Sequence, residues 1–235
     1  MEHEHEPFSW FQGFPAPLRP AITAALVAVV LIAFAIRVRG KLAATEQALE
    51  PDPGFSARNL AEAFVEAITG MTEGVIGHHA EQYVPLLASF FAFILLGNLL
   101  GLVPGFAPPT SDFHVTFALG MISFVMYHYY GIRSNGAGKY IKHFLGPVML
   151  LAPLMFVVEM FSNAFRPISL GIRLYANMFA DHQVIEIFTD KTKFLVPVIF
   201  YVLGAFVSVV QAFVFTMLSA IYIALGLAHE AHEEH

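Results

Sequence analysis

The sequence contains no cysteine and little charge, and both shortages narrow the class of protein. Without cysteine, the 235-residue chain can form neither disulfides nor thiolate metal sites. Only 13% of its residues are charged, about half of the roughly 25% that is usual in soluble domains. Hydrophobic residues make up 57% of the chain. This composition predicts an all-α polytopic membrane protein rather than a soluble domain.

Motifs of the common enzyme classes are also absent. The sequence has no glycine-rich phosphate-binding loop, metal-ligand cluster or nucleophile constellation, so we expect no nucleotide site and no enzymatic activity of its own. The net charge of −6 arises largely from the two polar tails, residues 1–17 and 228–235. Their Glu and His residues can bind metal but are more typical of solvated chain ends, so we expect no cofactor and no metal site. The net charge is no argument for or against a nucleic-acid partner, and we expect none.

Apolar runs predict about five spanning helices in a single membrane domain, residues 1–235. The first three spans cover 20–36, 83–106 and 113–131. Lys and Arg residues cluster directly after the first span and again after the third, namely Arg37, Arg39 and Lys41, then Arg133, Lys139 and Lys142. Because such clusters mark cytoplasmic ends, we expect an external N-terminal tail and a cytoplasmic C-terminal tail. Residues 55–76 have the apolar period of an amphipathic helix lying at the membrane surface.

The last two apolar stretches, 147–189 and 194–227, are too long for upright helices. At ~1.5 Å per residue they would measure about 60 Å and about 50 Å, whereas the hydrocarbon core is about 30 Å thick. A short turn joins them, and Pro167 can bend the first. We therefore expect a long, tilted hairpin.

The first arm of this hairpin carries a polar stripe. Projected at ~100° per residue, the polar residues that fall within about 40° of Arg173 are Glu159, Ser162, Arg166, Ser169 and Asn177. His182 falls on the opposite side, with Glu186 near it. An arginine inside an apolar run is costly, so a functional charge is favoured, although a structural ion pair is the simpler alternative. The distances along the helix make Glu159 and Asp181 poor partners for such a pair.

The candidate residues differ in what they can do with a proton. Arg173 is a fixed charge, because arginine stays protonated in proteins. His182 is a candidate proton carrier, because an unperturbed imidazole titrates near neutral pH, and Asp181 and Glu186 are further candidates. On the second arm, Gln211 stands in an otherwise apolar helix. It can bond Arg173 or Asn177 across the hairpin, or it can serve only to hold two helices together.

Several motifs together identify a family. They are Ser169-Leu-Gly-Ile-Arg173-Leu-Tyr-Ala-Asn177-Met-Phe-Ala180, Gln211-Ala-Phe-Val-Phe215 beginning 38 residues after Arg173, Glu159-Met-Phe-Ser-Asn163 before Arg166-Pro167, and Asp112-Phe-His-Val-Thr116. This set resembles subunit a of F-type ATP synthases, over roughly residues 20–227. The spacing from the arginine to the glutamine is the most specific part of the resemblance.

The resemblance implies a stator subunit that passes protons to and from the carboxylates of a rotating ring of c subunits. Arg173 would be the essential charge facing those carboxylates, with Asn177 and Gln211 beside it. Two offset half-channels would lead to it. The external one would be lined by Asp181, His182, Glu186, Asp112 and His114, and the cytoplasmic one by Glu159, Ser162 and Ser169. Further implied partners are b-type peripheral stalk subunits and the lipid of a bacterial inner membrane.

The sequence departs from the family pattern in the external half-channel. Many relatives have Glu where this chain has His182, and His or Glu where it has Gly204. Asp181 stands where a small residue is common, and it can supply the ionisable group that is missing at Gly204. The competing hypothesis is a secondary transporter or ion channel with an intramembrane arginine, which predicts internal repeats or broken helices in both halves. The sequence shows no such repeat.

Overall fold

The computed structural model describes residues 10–43, 56–77, 80–136, 138, 140, 152–191 and 195–227. Within these ranges every regular element is a helix. The six α-helices are α1 (Arg19–Ala43), α2 (Ala57–Ile76), α3 (Val84–Leu100), α4 (Phe113–Asn135), α5 (Ala152–Lys191) and α6 (Leu195–Leu227). Short 3-10 turns at Ala16–Leu18, Ala80–Gln82 and Pro109–Ser111 lead into α1, α3 and α4.

In the part of the chain that the structure describes, three helical stretches are long and apolar enough to cross a membrane: Ala16–Arg39, Phe113–Asn135 and Pro197–Leu227. Helix α3 is equally apolar but shorter, with 17 residues, and α5 is the helix that carries the charged stripe. The prediction of an all-α polytopic membrane protein is confirmed.

The centre of the bundle forms where α3 packs on α6 and α4 packs on α5. Its core consists of apolar side chains from all four helices: Phe90, Ile94, Leu119, Leu170, Leu174, Met178, Ala212 and Phe215. Helix α2 begins at its N-cap Ser56 and packs on α3 and α6. A buried Arg58 pairs with Glu62 of the same helix at 2.7 Å.

Two glycines let α4 and α5 approach each other closely. A Cβ atom on Gly120 would lie 2.6 Å from the carbonyl oxygen of Pro167, and one on Gly171 would lie 3.1 Å from that of Thr116. Small residues of this kind allow membrane helices to pack backbone against backbone. The contact fixes the part of α5 that precedes Arg173.

The α5–α6 pair is the longest feature of the fold. Its helices have 40 and 33 residues, which correspond to about 60 Å and about 50 Å of axis. Pro167 lies inside α5, which continues on both sides of it. The two helices pack against each other, so the Arg173 stripe and Gln211 lie on neighbouring helices.

Candidate functional site

Helix α5 turns one side toward the bundle and leaves the other uncovered. The residues on its covered side repeat every three or four positions: Asn163, Pro167, Leu170, Leu174 and Met178 are all buried. Arg173, by contrast, is exposed, as are Ser162, Ser169 and Asn177. Most of the predicted stripe therefore lies on a face that no other described helix covers.

Arg173 forms no hydrogen bond and no ion pair within the described part of the chain. Neither Glu159 nor Asp181 pairs with it, so the alternative of a structural ion pair finds no support among these residues. A fixed positive charge in a membrane needs a counter-charge or water. Nothing in the described bundle supplies the counter-charge.

The sequence left two partners open for Gln211, and the structure selects Asn177. The Nδ2 group of Asn177 donates a hydrogen bond of 2.8 Å to Oε1 of Gln211. Gln211 is buried, whereas Asn177, one turn after Arg173, is exposed. This bond ties α5 to α6 beside the arginine and leaves the guanidinium unengaged.

Helical projection placed Arg166 on the polar stripe, but its side chain points away from that stripe. It is half-buried, and its guanidinium carbon lies 5.6 Å from the ring centroid of Tyr127 and 5.3 Å from that of Tyr222. Both are cation–π distances. The projection locates a Cα atom, but the long side chain reaches around the helix to the two rings of α4 and α6.

The three residues predicted for the cytoplasmic half-channel have different surroundings. Ser162 and Ser169 are exposed, and Glu159 is half-buried. The Oε1 atom of Glu159 accepts a hydrogen bond of 3.0 Å from Nδ2 of Asn163. Glu159 precedes Arg173 by 14 residues, which is about 21 Å of helix axis.

Asp112 and His114 lie together at the start of α4. Asp112 caps the helix by accepting from the backbone N–H groups of His114, at 2.8 Å, and of Val115. Its Oδ1 atom is also 3.2 Å from Nδ1 of His114, whose side chain is 93% exposed. Capping alone accounts for Asp112 at this position.

Asp181 and His182 follow Arg173 on α5, about 12 Å and about 14 Å further along the axis. Both are half-buried. The carboxylate of Asp181 lies against Gly204 of α6, where an added Cβ atom would be 2.8 Å from Oδ2. Asp181 thus uses the space that a side chain at Gly204 would need. The side chain of Glu186 lies outside the described part of the structure.

Sequence reasoning missed a polar cluster next to Glu159. Tyr127 of α4 donates a hydrogen bond to Oδ1 of Asn163, and both side chains are buried. The only signal in the sequence was the position of Asn163, four residues after Glu159 and therefore on its side of the helix. Within the described ranges, no three His, Asp or Glu side chains converge as a metal site would require.

Comparison with known proteins gives one consistent result. The family model described as "ATP synthase A chain" matches residues 21–224. The chain is 42% identical to the ATP synthase subunit a of Bdellovibrio bacteriovorus over 226 residues, which is 95% of this chain and 99% of that one. It is 41% identical to that of Geotalea uraniireducens over 90% of this chain and 88% of the other, and 38% identical to that of Geotalea daltonii over 96% and 99%.

Proposed function

The chain belongs to the ATP synthase A chain family, and from that premise we propose how its α5–α6 hairpin moves protons. It is a proton-translocating subunit a of the Fo sector: a multi-pass membrane protein that works within a membrane-embedded complex and is not its catalytic part. Family membership replaces the alternative of a secondary transporter or independent ion channel. The mechanism, the individual partners and the orientation are the proposals that follow.

Arg173 is the charge that faces the carboxylates of a rotating c-subunit ring. The observation that carries this proposal is its exposed, unpaired guanidinium on the uncovered side of α5. Exposed apolar side chains lie near it in sequence on α5, among them Ile172 and Phe179, and Phe213 is exposed on the neighbouring α6. A membrane protein surface of this kind, apolar with one bare cation, suits a partner that presents an acidic group within an apolar helix.

The fixed charge of Arg173 couples proton flow to rotation. A ring carboxylate that approaches it is held ionised by the positive charge, so it must first release its proton. Since arginine does not deprotonate, it cannot relay that proton onward. A proton that crosses the membrane therefore travels on the ring, and the membrane potential, about 2.3 kcal/mol per charge per 100 mV, drives the ring's movement.

Two half-channels serve the two ends of the stripe. Glu159 with Ser162 and Ser169 lines the cytoplasmic one, and Asp181, His182 and Glu186 line the external one, with Asp112 and His114 nearer its mouth. Glu159 and His182 are about 35 Å apart along the axis of α5, which is comparable to the ~30 Å hydrocarbon core. Asp181 supplies the ionisable group that Gly204 lacks. The packing of its carboxylate against Gly204 supports this exchange.

We propose a bacterial inner-membrane location with the N-terminus outside and the C-terminus in the cytoplasm. The backbone N–H of Trp10 donates to the carbonyl oxygen of Gly105, which supports a shared side for the N-terminal segment and the α3–α4 connection. At the other end Asn135 donates to the carbonyl oxygen of Gly226, so α4 and α6 end together. The basic residues in the C-terminal parts of α1 and α4 support assigning that second side to the cytoplasm. Partners there include b-type stalk subunits.

Substitution of Arg173 by Ala tests this function. In inverted membrane vesicles that contain the whole complex, Arg173→Ala should abolish ATP-driven acidification while the complex still assembles and hydrolyses ATP. Arg133→Ala is the matched control, because Arg133 is an exposed arginine at the end of α4, and it should pump normally. Full coupled pumping by the Arg173→Ala complex would overturn the proposal.

A further inference from the structure

We propose that Tyr127 is a positioning residue for proton transfer, because its hydroxyl group orients Asn163, which in turn holds the carboxylate of Glu159 toward the cytoplasmic half-channel. This inference rests on the proposed function, in which Glu159 lines that half-channel. Asn163 ends the motif Glu159-Met-Phe-Ser-Asn163, but neither Asn163 nor Tyr127 was predicted to take part in proton transfer. Their assignment comes from the contacts alone.

A continuous set of hydrogen bonds connects the three side chains. The hydroxyl of Tyr127 donates to Oδ1 of Asn163. The Nδ2 group of Asn163 donates to Oε1 of Glu159 at 3.0 Å and to the backbone oxygen of Glu159 at 2.9 Å. A carboxylate only accepts hydrogen bonds, so the amide must turn its nitrogen toward Glu159. The hydroxyl of Tyr127 is the donor that satisfies the opposite end of the amide.

The cluster is buried at Tyr127 and Asn163 and partly exposed at Glu159. Tyr127 is 2% exposed and Asn163 5% exposed, whereas Glu159 is half-buried. A free glutamate side chain samples many rotamers, and fixing it costs entropy. Here the buried amide fixes one carboxylate oxygen while the rest of the group stays within reach of water. Such an arrangement holds a proton-carrying group at one place along the path.

The aromatic ring of Tyr127 makes a contact of its own, with Arg166, in addition to the hydrogen bonds of the hydroxyl group. Arg166 stacks over this ring and over that of Tyr222 and forms no ion pair with Glu159 in the described structure. The other polar neighbours of the hydroxyl are Arg166, His128, whose Nε2 atom lies 3.3 Å away, and Tyr140. A Tyr127→Phe substitution therefore keeps the ring beneath Arg166 while it removes the hydroxyl, with its hydrogen bond to Asn163 and its contact with Arg166.

The first test compares Tyr127→Phe with a matched control in vesicles that contain the whole complex. Tyr130→Phe is the control: Tyr130 lies three residues further on in α4, and its ring packs against that of Tyr83. Tyr127→Phe should lower ATP-driven pumping about fivefold, the change that one ordinary hydrogen bond is worth. It should also shift the dependence of pumping on cytoplasmic pH, because Asn163 is then no longer held with its nitrogen toward the Glu159 carboxylate. Tyr130→Phe should change neither.

A second variant guards against a purely structural effect. Tyr127→Phe leaves the buried Oδ1 atom of Asn163 without a donor, which can itself destabilise the protein. In the double variant Tyr127→Phe/Asn163→Leu both partners are apolar, so assembly should return to normal while the shifted pH profile persists. Recovery of the profile together with assembly would overturn the inference, as would a Tyr127→Phe complex whose profile matches that of the wild type.

Glu159→Gln separates failure of the inference from failure of the proposed function. If Glu159→Gln pumps like the wild type, Glu159 does not belong to the cytoplasmic path, and both the path and the inference are wrong. If Glu159→Gln impairs pumping but Tyr127→Phe has no effect, only the inference is wrong. The inference is supported when both impair pumping and the pH shift appears.

Discussion

Arg166 and Arg173 lie seven residues apart on one helix, and their surroundings are opposite. The guanidinium of Arg166 lies over two tyrosine rings from neighbouring helices, whereas Arg173 is exposed and has no partner in the described chain. Helical projection puts the two Cα atoms within about 20° of each other. The difference therefore arises from the neighbouring helices, which place two aromatic rings beside Arg166 and no partner among the described residues beside Arg173. Of the two cations, Arg173 is the one available to a partner outside the chain.

The comparison separates packing from transport on α5. A cation that the chain itself satisfies contributes to holding α4, α5 and α6 together. A cation that the chain leaves bare is available to a moving carboxylate. The neighbouring Asn177–Gln211 bond reinforces this division, since it links α5 to α6 without involving Arg173. Asp181 combines both roles, because it packs against α6 and is also proposed to carry protons.

The largest effect is expected at Asp181, where packing and proton transport meet. Gly204→Val should lower ATP-driven pumping about tenfold or more, because the added side chain would occupy the position of the Asp181 carboxylate, 2.8 Å from an added Cβ atom, and a displaced catalytic group costs rate steeply. Gly74→Val is the control, since nothing lies within 4 Å of a Cβ atom there. Normal pumping by Gly204→Val would remove Asp181 from the external path.

A smaller effect is expected for Arg166. Arg166→Gln should keep pumping within about threefold of the wild type but lower the stability of the subunit by about 1–2 kcal/mol, the worth of two cation–π contacts at a half-buried site. Thermal unfolding of the purified complex and vesicle acidification measure the two quantities separately. Loss of coupled pumping with unchanged stability would break the comparison, because Arg166 would then act as Arg173 does.

Much of the fold could be predicted from the sequence because bilayers constrain composition and length. Apolar runs predicted the all-α membrane fold, and the isolated Gln211 in an apolar helix indicated a bond to Arg173 or Asn177 or a purely structural contact between helices. The direction of Arg166 could not be predicted in this way, because its partners Tyr127 and Tyr222 come from two other helices. The same reason hid the Tyr127–Asn163 bond: each residue is unremarkable alone, and only the tertiary packing joins them.

The sequence predicted which residues form the site better than it predicted their contacts. The motif around Arg173 named the candidates, but which of them are covered depends on how α5 rotates against α4 and α6. That rotation is set by Gly120 and Gly171, where the two backbones meet. The contact between Asp181 and Gly204 likewise needs the register of α5 against α6, which no local pattern contains.

The central claim, that the uncovered face of α5 is the rotor face, is tested most directly by disulfide cross-linking. The chain has no cysteine of its own, so a single introduced cysteine reports one position. Ala176→Cys lies on the exposed face, three residues after Arg173, and Val29→Cys lies on the exposed side of α1. Each is paired with a cysteine one turn from the ring carboxylate of the c subunit. Oxidation should link Ala176→Cys to the ring and leave Val29→Cys unlinked; a ring linked through Val29→Cys and not through Ala176→Cys would contradict the account.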